Sequence, residues 1–259
     1  MAELDGVPVD IEQLTAVALT NMGHFTTLRV ENQRVRGLSL HLDRLVRDCR
    51  RVFDAELDPQ RVRELVRRAV AGSEEAVIVR VTIVDPALDL GHIGAAARPR
   101  VLVTTRGAPQ GPPSGLRLQS VTYRRDLPEV KHVGLFGAMH LRRRAQRGGF
   151  DDVVFTDPAG VFVEAATSNI GFVAGATVLW PRADCLPGVT MRLLQQTGGT
   201  HDTVPLTRDD LPGVDAVFAT NAAVGVRPVT AIDDIALPAE HPVFQTLATR
   251  YAELPSEPV

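Results

Sequence analysis

Arg124-Arg125-Asp126-Leu127-Pro128-Glu129-Val130-Lys131-His132 is the stretch on which the organisation of this chain turns. Its first five residues interrupt the strand-like run Leu116–Tyr123, and Pro128 bars the interior of a helix or a central strand. A domain boundary is therefore placed at 124–128, between a smaller N-terminal α+β domain over 1–123 and a larger C-terminal domain over 129–259. Just past the break stands Lys131, the single lysine among 28 basic side chains; the other 27 (28 minus 1) are arginine. In a chain that uses arginine wherever a plain positive charge suffices, a retained lysine points to chemistry a guanidinium cannot perform. An ε-amine loses its proton when desolvated or set near another cation. Once neutral it can attack a carbonyl and form a Schiff base. Taken alone, Lys131 reads equally well as an ordinary exposed lysine, and its surroundings have to decide. A position beside a domain boundary is favourable, because clefts between domains commonly hold small ligands.

Upstream, residues 24–30 and 34–40 alternate as two strands of a hairpin around Glu31-Asn32-Gln33. In the segment His41–Phe53, Leu42, Leu45, Val46, Cys49 and Phe53 recur at helical spacing and leave an arginine-rich face for solvent. Asp58 and Pro59 suit the N-cap and first position of a second helix, with Val62, Leu65, Val66 and Ala69 as its apolar stripe. Strand-like runs follow at Ala76–Val84, Arg100–Thr105 and Leu116–Tyr123, with the Gly/Pro-rich loop 107–115 between the last two. Downstream, a helix is expected over Leu135–Arg147, closed by Gly148-Gly149. Short strands are expected at Asp152–Thr156, Val161–Ala165, Ile170–Val173, Thr177–Trp180, Val214–Thr220 and Gly225–Ile232. A short helix follows Pro187-Gly188-Val189-Thr190 and a closing helix spans His241–Leu254, with Ser256–Val259 as a loose tail. The fold class is a mixture of α+β and α/β in two domains.

Composition removes several function classes. Apolar residues make up 44%, charged residues 23%, and the net charge is −3. No basic block interleaved with aromatics suggests nucleic-acid binding, and no apolar run approaches the length of a membrane span. The acidic start MAELDGVPVDIEQL lacks the features of a secretory leader, so a cytoplasmic location is expected. Two cysteines, Cys49 and Cys185, do not make a disulfide framework, and neither lies in a cluster with metal-ligand spacing. No metal is expected.

Four further segments carry chemistry when read with Lys131. Gly23-His24-Phe25-Thr26-Thr27-Leu28-Arg29-Val30 is a strand led by glycine. His41-Leu42-Asp43-Arg44-Leu45 puts on a helix an arginine whose planar donors suit a phosphate; it also fits a solvated charge. Val161-Phe162-Val163-Glu164, continuing through Asn169 to Phe172, sets Glu164 on the same face as Phe162. There the carboxylate is either buried with a partner or simply turned outward. Leu186-Pro187-Gly188-Val189-Thr190 offers amides and a hydroxyl to an anion, or a plain turn with a capping threonine. Farther on, Thr220-Asn221-Ala222-Ala223-Val224-Gly225 forms another candidate loop.

In order and spacing, these segments resemble the class IV aminotransferase family. These are the fold-type IV pyridoxal-phosphate enzymes, which include branched-chain and D-amino-acid aminotransferases and aminodeoxychorismate lyases. The likeness runs from about residue 20 to 232 and implies the two-domain, D-amino-acid aminotransferase-like architecture, with 129–259 as the cofactor-binding domain. It implies pyridoxal 5'-phosphate held through a Schiff base on Lys131 as catalytic residue, with Arg44, Val189, Thr190, Asn221 and Ala222 on the phosphate side. Glu164 stands where the family pairs a carboxylate with the pyridine nitrogen, and Asn169 completes that signature. Phe25, Thr27 and His132 fall on the substrate side. The implied reaction transfers an amino group between a small amino acid and a keto acid. Lys131-His132 and Phe25-Thr26-Thr27 also resemble the 4-amino-4-deoxychorismate lyase branch, which eliminates pyruvate to give 4-aminobenzoate. A relative that binds the cofactor or a small anion without catalysis is the third possibility. The resemblance further implies a homodimer. Departures fall on the substrate side: Thr20-Asn21-Met22 precedes Gly23, and the run Arg80–Pro86 lacks the usual arginine-glycine turn. Arg80, Arg106, Arg124, Arg125 and Arg227 are all open as the group that reads a substrate carboxylate.

Overall fold

Alternation of apolar residues along three central strands builds the first of two compact units in the computed structural model, which covers Met1–Val259. This unit comprises Met1–Pro109, Val130–Gly134 and Pro255–Val259. Its elements are β1 (Ala2–Leu4), β2 (Val7–Pro8), α1 (Ile11–Thr20), β3 (His24–Val30), β4 (Arg34–Arg36), α2 (Leu38–Phe53), α3 (Pro59–Ala69), β5 (Val77–Val84) and β6 (Arg100–Gly107). The sheet runs β2-β1-β6-β5-β3 and is antiparallel throughout. Leu28, Val30, Val79, Val81, Ile83, Val101 and Val103 share one core with Leu45 and Cys49 of α2 and with Val62 and Val66 of α3. The residues between them point the other way, because successive side chains on a strand alternate. Phe25 is paired with Thr82 and Thr27 with Arg80, so these four project from the face opposite that core.

Two expectations are corrected here, and one helix is added. The strand expected over 34–40 stops at Arg36, because Gly37 adopts a left-handed conformation (φ 67°) and Leu38 already begins α2. Helix α1 was not legible from apolar spacing, since it buries no residue; an Asp10/Gln13 capping box starts it. The tail is not loose. Ser256–Pro258 pairs antiparallel with β4, Val259 is buried, and Arg63 and Arg67 donate to the carbonyl oxygens of Pro258 and Val259.

The second unit comprises Gln110–Glu129 and Leu135–Leu254. It contains β7 (Leu116–Thr122), α4 (Phe136–Arg147), β8 (Asp152–Thr156), β9 (Phe162–Ala165), β10 (Asn169–Ala174), β11 (Thr177–Pro181), α5 (Val189–Gln195), β12 (Thr200–Val204), β13 (Ala216–Asn221), β14 (Gly225–Ile232), β15 (Ile235–Ala236) and α6 (Pro242–Glu253). A short 3-10 turn, Arg208–Gly213, precedes β13. The sheet runs β12-β11-β10-β13-β14-β7-β8-β9, with β15 added to β14. Three of its pairings are parallel: β11–β12, β14–β7 and β7–β8. Parallel neighbours need a crossover, and chain segments containing α5 and α4 supply it for β11–β12 and β7–β8. Ala138 and Ala145 of α4 pack on Val153 and Phe155 of β8.

The compact units do not follow one cut in the sequence. β7, expected in the N-terminal domain, hydrogen-bonds between β14 and β8 of the second sheet. Val130–Gly134 and the C-terminal residues join the first unit instead. Strand pairing, which connects distant residues, sets these boundaries. No helix is long and apolar enough to cross a membrane.

Removal of residues 256–259 should lower the unfolding free energy by about 2 kcal/mol or more, since a buried valine and several hydrogen bonds are lost. Urea denaturation of the truncated and full chains measures this, and equal midpoints would show that the tail contributes nothing.

Candidate active site

In the first unit the main chain of Lys131 is fixed from two sides. Phe25 N–H donates to the Lys131 carbonyl (2.8 Å), Val133 N–H donates to the Gly23 carbonyl (2.9 Å), and His24 and His132 form an antiparallel bridge. The segment thus lies along the free edge of β3. Glycine is required at position 23: a Cβ there would stand 2.6 Å from the Ile83 carbonyl oxygen. The Lys131 Nζ lies 4.8 Å from the centroid of the Phe25 ring, and the Arg80 guanidinium carbon lies 3.6 Å from the same centroid. Both are cation–π distances. Arg80 Nε donates to Thr82 Oγ1 (3.3 Å), no carboxylate lies within ion-pair distance of it, and desolvation lowers its pKa from the ordinary arginine value.

On the helix-covered side of the sheet, Arg44 is buried and donates through Nη2 to Thr26 Oγ1 (2.5 Å). Thr26 Oγ1 is also 2.7 Å from His41 Nδ1. With its oxygen accepting from Arg44, the threonine has its proton left for the imidazole nitrogen. Burial first, then Arg44 and Lys131, hold His41 well below the usual histidine pKa. His24 is fully buried, and neither ring nitrogen has a hydrogen-bond partner. Burial, then Arg44 and Arg47, push its pKa down to about 3. Two neutral imidazoles and a cluster of cations therefore lie close to Lys131 in the fold.

In the second unit Glu164 is buried on β9 and not turned outward. Its Oε1 accepts from Arg125 Nη1 (3.0 Å) and its Oε2 from Leu186 N–H (3.3 Å). Asn169, at the start of β10, donates to the Leu186 carbonyl (2.8 Å). A Cβ on Gly188 would stand 2.0 Å from Asn169 Oδ1, so only glycine lets loop 186–190 pass so close. Beyond it Thr190, in the first turn of α5, is 1% exposed and its hydroxyl has no hydrogen-bond partner. Thr220 Oγ1 is likewise buried and unpartnered. Asn221 donates to Ser168 Oγ (2.9 Å), and its Oδ1 accepts from the amides of Ala223 and Val224, so its side chain builds the turn that contains Ala222. A cavity of about 180 Å³ opens beside Glu164, lined in part by Tyr123, Arg125, Phe155 and Asp184.

Of the candidate residues in the first unit, Phe25 and Lys131 meet, Arg44 lies on the helix-covered side of the same sheet, Thr27 shares the face of Phe25, and His132 forms the bridge to His24. Glu164, Asn169, Val189 and Thr190 gather around loop 186–190 in the second. Sequence reading quoted Thr26 and His24 within the Gly23–Val30 segment but gave neither a contact: the Thr26 bond to Arg44 and the burial of His24 are set by distant packing that no local pattern reveals. The five open arginines separate: Arg124 is exposed and pairs with Asp184, Arg125 pairs with Glu164, Arg227 binds Ser114, and Arg106 is exposed. Arg80 alone of the five stacks on Phe25.

Comparison with known proteins gives a consistent result. The family model described as amino-transferase class IV matches residues 23–232. A branched-chain-amino-acid aminotransferase of Pseudomonas aeruginosa is 23% identical, over 97% of this chain and 92% of the relative. A solved structure described as a hypothetical aminotransferase from Mycobacterium tuberculosis, in its PLP-bound form, superposes with a TM-score of 0.82 at 20% identity, over 97% of each chain. A candidate 4-amino-4-deoxychorismate lyase from Legionella pneumophila superposes with a TM-score of 0.79 at 22% identity, over 92% of this chain and 93% of that one.

The buried His24 generates a pH prediction. Between about pH 6.5 and about 3 the unfolded chain binds a proton that folded His24 refuses. This contribution is complete above the unfolded pKa and is lost as pH falls towards 3. Urea unfolding from pH 7 to 4 should show stability dropping with acid, and His24→Asn should flatten that slope. Identical slopes would show that His24 is protonated normally in the fold.

Proposed function

The chain belongs to the class IV aminotransferase family, and from that premise we propose a pyridoxal-phosphate-dependent enzyme moving an amino group between a small amino acid and a keto acid. The observation that carries this is the Lys131 amine, the only lysine amine in the protein, held over Phe25 by a segment pinned at both ends.

The residues present fit the cofactor. Thr190 has a buried hydroxyl with nothing to bond, which costs about 1–3 kcal/mol if left so and suits a phosphate oxygen. Arg44 is a buried guanidinium on the helix that packs under the lysine. When bound, the cofactor supplies an aldehyde that combines with amines and a ring that withdraws electrons from the substrate α-carbon. Arg44, the amides of Val189 and Thr190 and the Thr190 hydroxyl would hold its phosphate, with the turn built by Asn221 around Ala222 closing that side. Lys131 would hold its aldehyde carbon, and Glu164, kept in place by Arg125 and Leu186 N–H, would keep the ring nitrogen protonated. Asn169 acts on loop 186–190. Once a substrate amine had displaced it from that carbon, the freed Lys131 amine would take the proton from the substrate α-carbon and return it to the former aldehyde carbon.

Arg80 is the arginine to receive a substrate carboxylate: it is desolvated, it has no acidic partner, and it stacks on the Phe25 ring that Lys131 Nζ also approaches. Phe25 would lie beside both cations, and Thr27 would lie at the edge of the same surface. Arg80→Gln should raise KM for the amino acid about tenfold or more while kcat changes less, consistent with lost charge-assisted binding. An unchanged KM would remove Arg80 from this role.

Likeness to the Legionella candidate lyase supports a second outcome, elimination of pyruvate from 4-amino-4-deoxychorismate. His132 contributes to the bridge with His24, which suits either reaction. Amino-donor and keto-acid panels, run beside aminodeoxychorismate alone, separate them. Exchange that requires a keto acid is expected; pyruvate released without an acceptor would replace the transaminase reading with the lyase. We also read the enzyme as a homodimer, with exposed Ile11, Leu14 and Leu19 along α1 leaving apolar surface for a second copy.

A further inference from the structure

Asp48 lies one turn beyond Arg44 on α2 and is fully buried, an unusual place for a carboxylate. Its Oδ1 accepts from Arg47 through Nε (3.0 Å) and Nη2 (2.6 Å). Its Oδ2 faces the Lys131 segment and accepts the Lys131 backbone N–H (3.2 Å). The neighbouring ladder contacts with β3 use the Lys131 carbonyl and the Val133 N–H. A side chain on a helix thus adds its own hold to a segment that the edge of β3 already seats. Burial raises the Asp48 pKa, against the opposing influence of Arg47, the Lys131 amide and Arg44.

We propose that Asp48 is a positioning residue for the catalytic lysine, fixing the Lys131 backbone to the helix that also carries Arg44. The geometry gives the function. Two hydrogen bonds to β3 set how far the segment lies along the strand. A bond from the Lys131 amide to an atom on α2 ties the segment to the helix as well, and so sets where the lysine is presented relative to Arg44. Placement within a fraction of an ångström is what a proton transfer needs. Arg47 holds the other carboxylate oxygen, so the acceptor itself cannot turn away. The inference rests on Lys131 acting as proposed above; the hydrogen bond itself does not.

The single lysine makes the test direct. Protein labelled with 15N-lysine shows one lysine backbone amide, that of Lys131, and its hydrogen exchange can be followed without cofactor. Asp48→Ala is expected to speed that exchange about tenfold or more relative to wild type, matching loss of a charge-assisted hydrogen bond to a buried acceptor. Asp48→Asn, whose side-chain oxygen can still accept, should recover most of the protection. In the loaded enzyme, kcat should fall about tenfold or more in Asp48→Ala with KM for the amino donor within about threefold, and Asp48→Asn should restore most of it. Should Asp48→Ala fold poorly, acid titration of the wild-type amide serves instead: its chemical shift is expected to follow Asp48 protonation. Unchanged exchange in folded Asp48→Ala, or an amide shift insensitive to acid, would overturn the proposed contact. Faster exchange with undiminished kcat would overturn the positioning role. Reduction with borohydride in the presence of pyridoxal phosphate tests the other premise separately. Lost protection together with no adduct on Lys131 would remove the lysine chemistry while leaving the Asp48 contact standing.

Discussion

The antiparallel seat of the Lys131 segment on the edge of β3 is the constraint from which the rest follows. An isolated lysine on a loop would sweep through many rotamers and backbone states, and a reactive amine needs few. Here the Phe25 amide holds the Lys131 carbonyl, and the Gly23 carbonyl holds the Val133 amide. The absence of a Cβ at position 23 lets β3 lie close to the Ile83 carbonyl. The side chain then emerges over the aromatic ring of the residue that binds its carbonyl. One short stretch of sheet edge therefore sets both the position and the chemical surroundings of the amine.

Electrostatics around this seat are arranged at a cost to stability. Two histidines are buried near Arg44, and burial and cations keep them neutral. In the second unit two buried hydroxyls, Thr190 and Thr220, lack hydrogen-bond partners. Unsatisfied groups of this kind each cost about 1–3 kcal/mol, and proteins keep them where a ligand completes the bonding. An anion bound by Thr190 and by the first-turn amides of α5 would offset that cost, so ligand binding and folding stability should be coupled. Glu164 shows the opposite arrangement. Its carboxylate is buried but satisfied on both oxygens, by Arg125 and by the Leu186 amide, and so is held ready in one orientation.

Much of the fold was legible because its elements announce themselves locally. The stripe Leu42, Leu45, Cys49 and Phe53 gave α2, and Asp58-Pro59 gave the start of α3. The family was legible through a resemblance carried by short segments around Lys131, Arg44, Glu164 and Thr190. What escaped was everything decided by distant pairing. β7 joins the second sheet through β14, more than a hundred residues away, and Ser256–Pro258 finds β4 across almost the whole chain. The contacts of Thr26 and Asp48 also required the structure, because nothing local shows that a strand hydroxyl meets Arg44 or that a helical acid meets the Lys131 amide. Arg80 stood level with four other arginines until their partners were known.

The most direct test is borohydride reduction of purified protein mixed with pyridoxal phosphate, followed by mass mapping of the peptides. One adduct per chain, carried by the peptide containing Lys131, is the result this account predicts. Protein that binds no vitamer, or carries it only on the N-terminal amine, would contradict it.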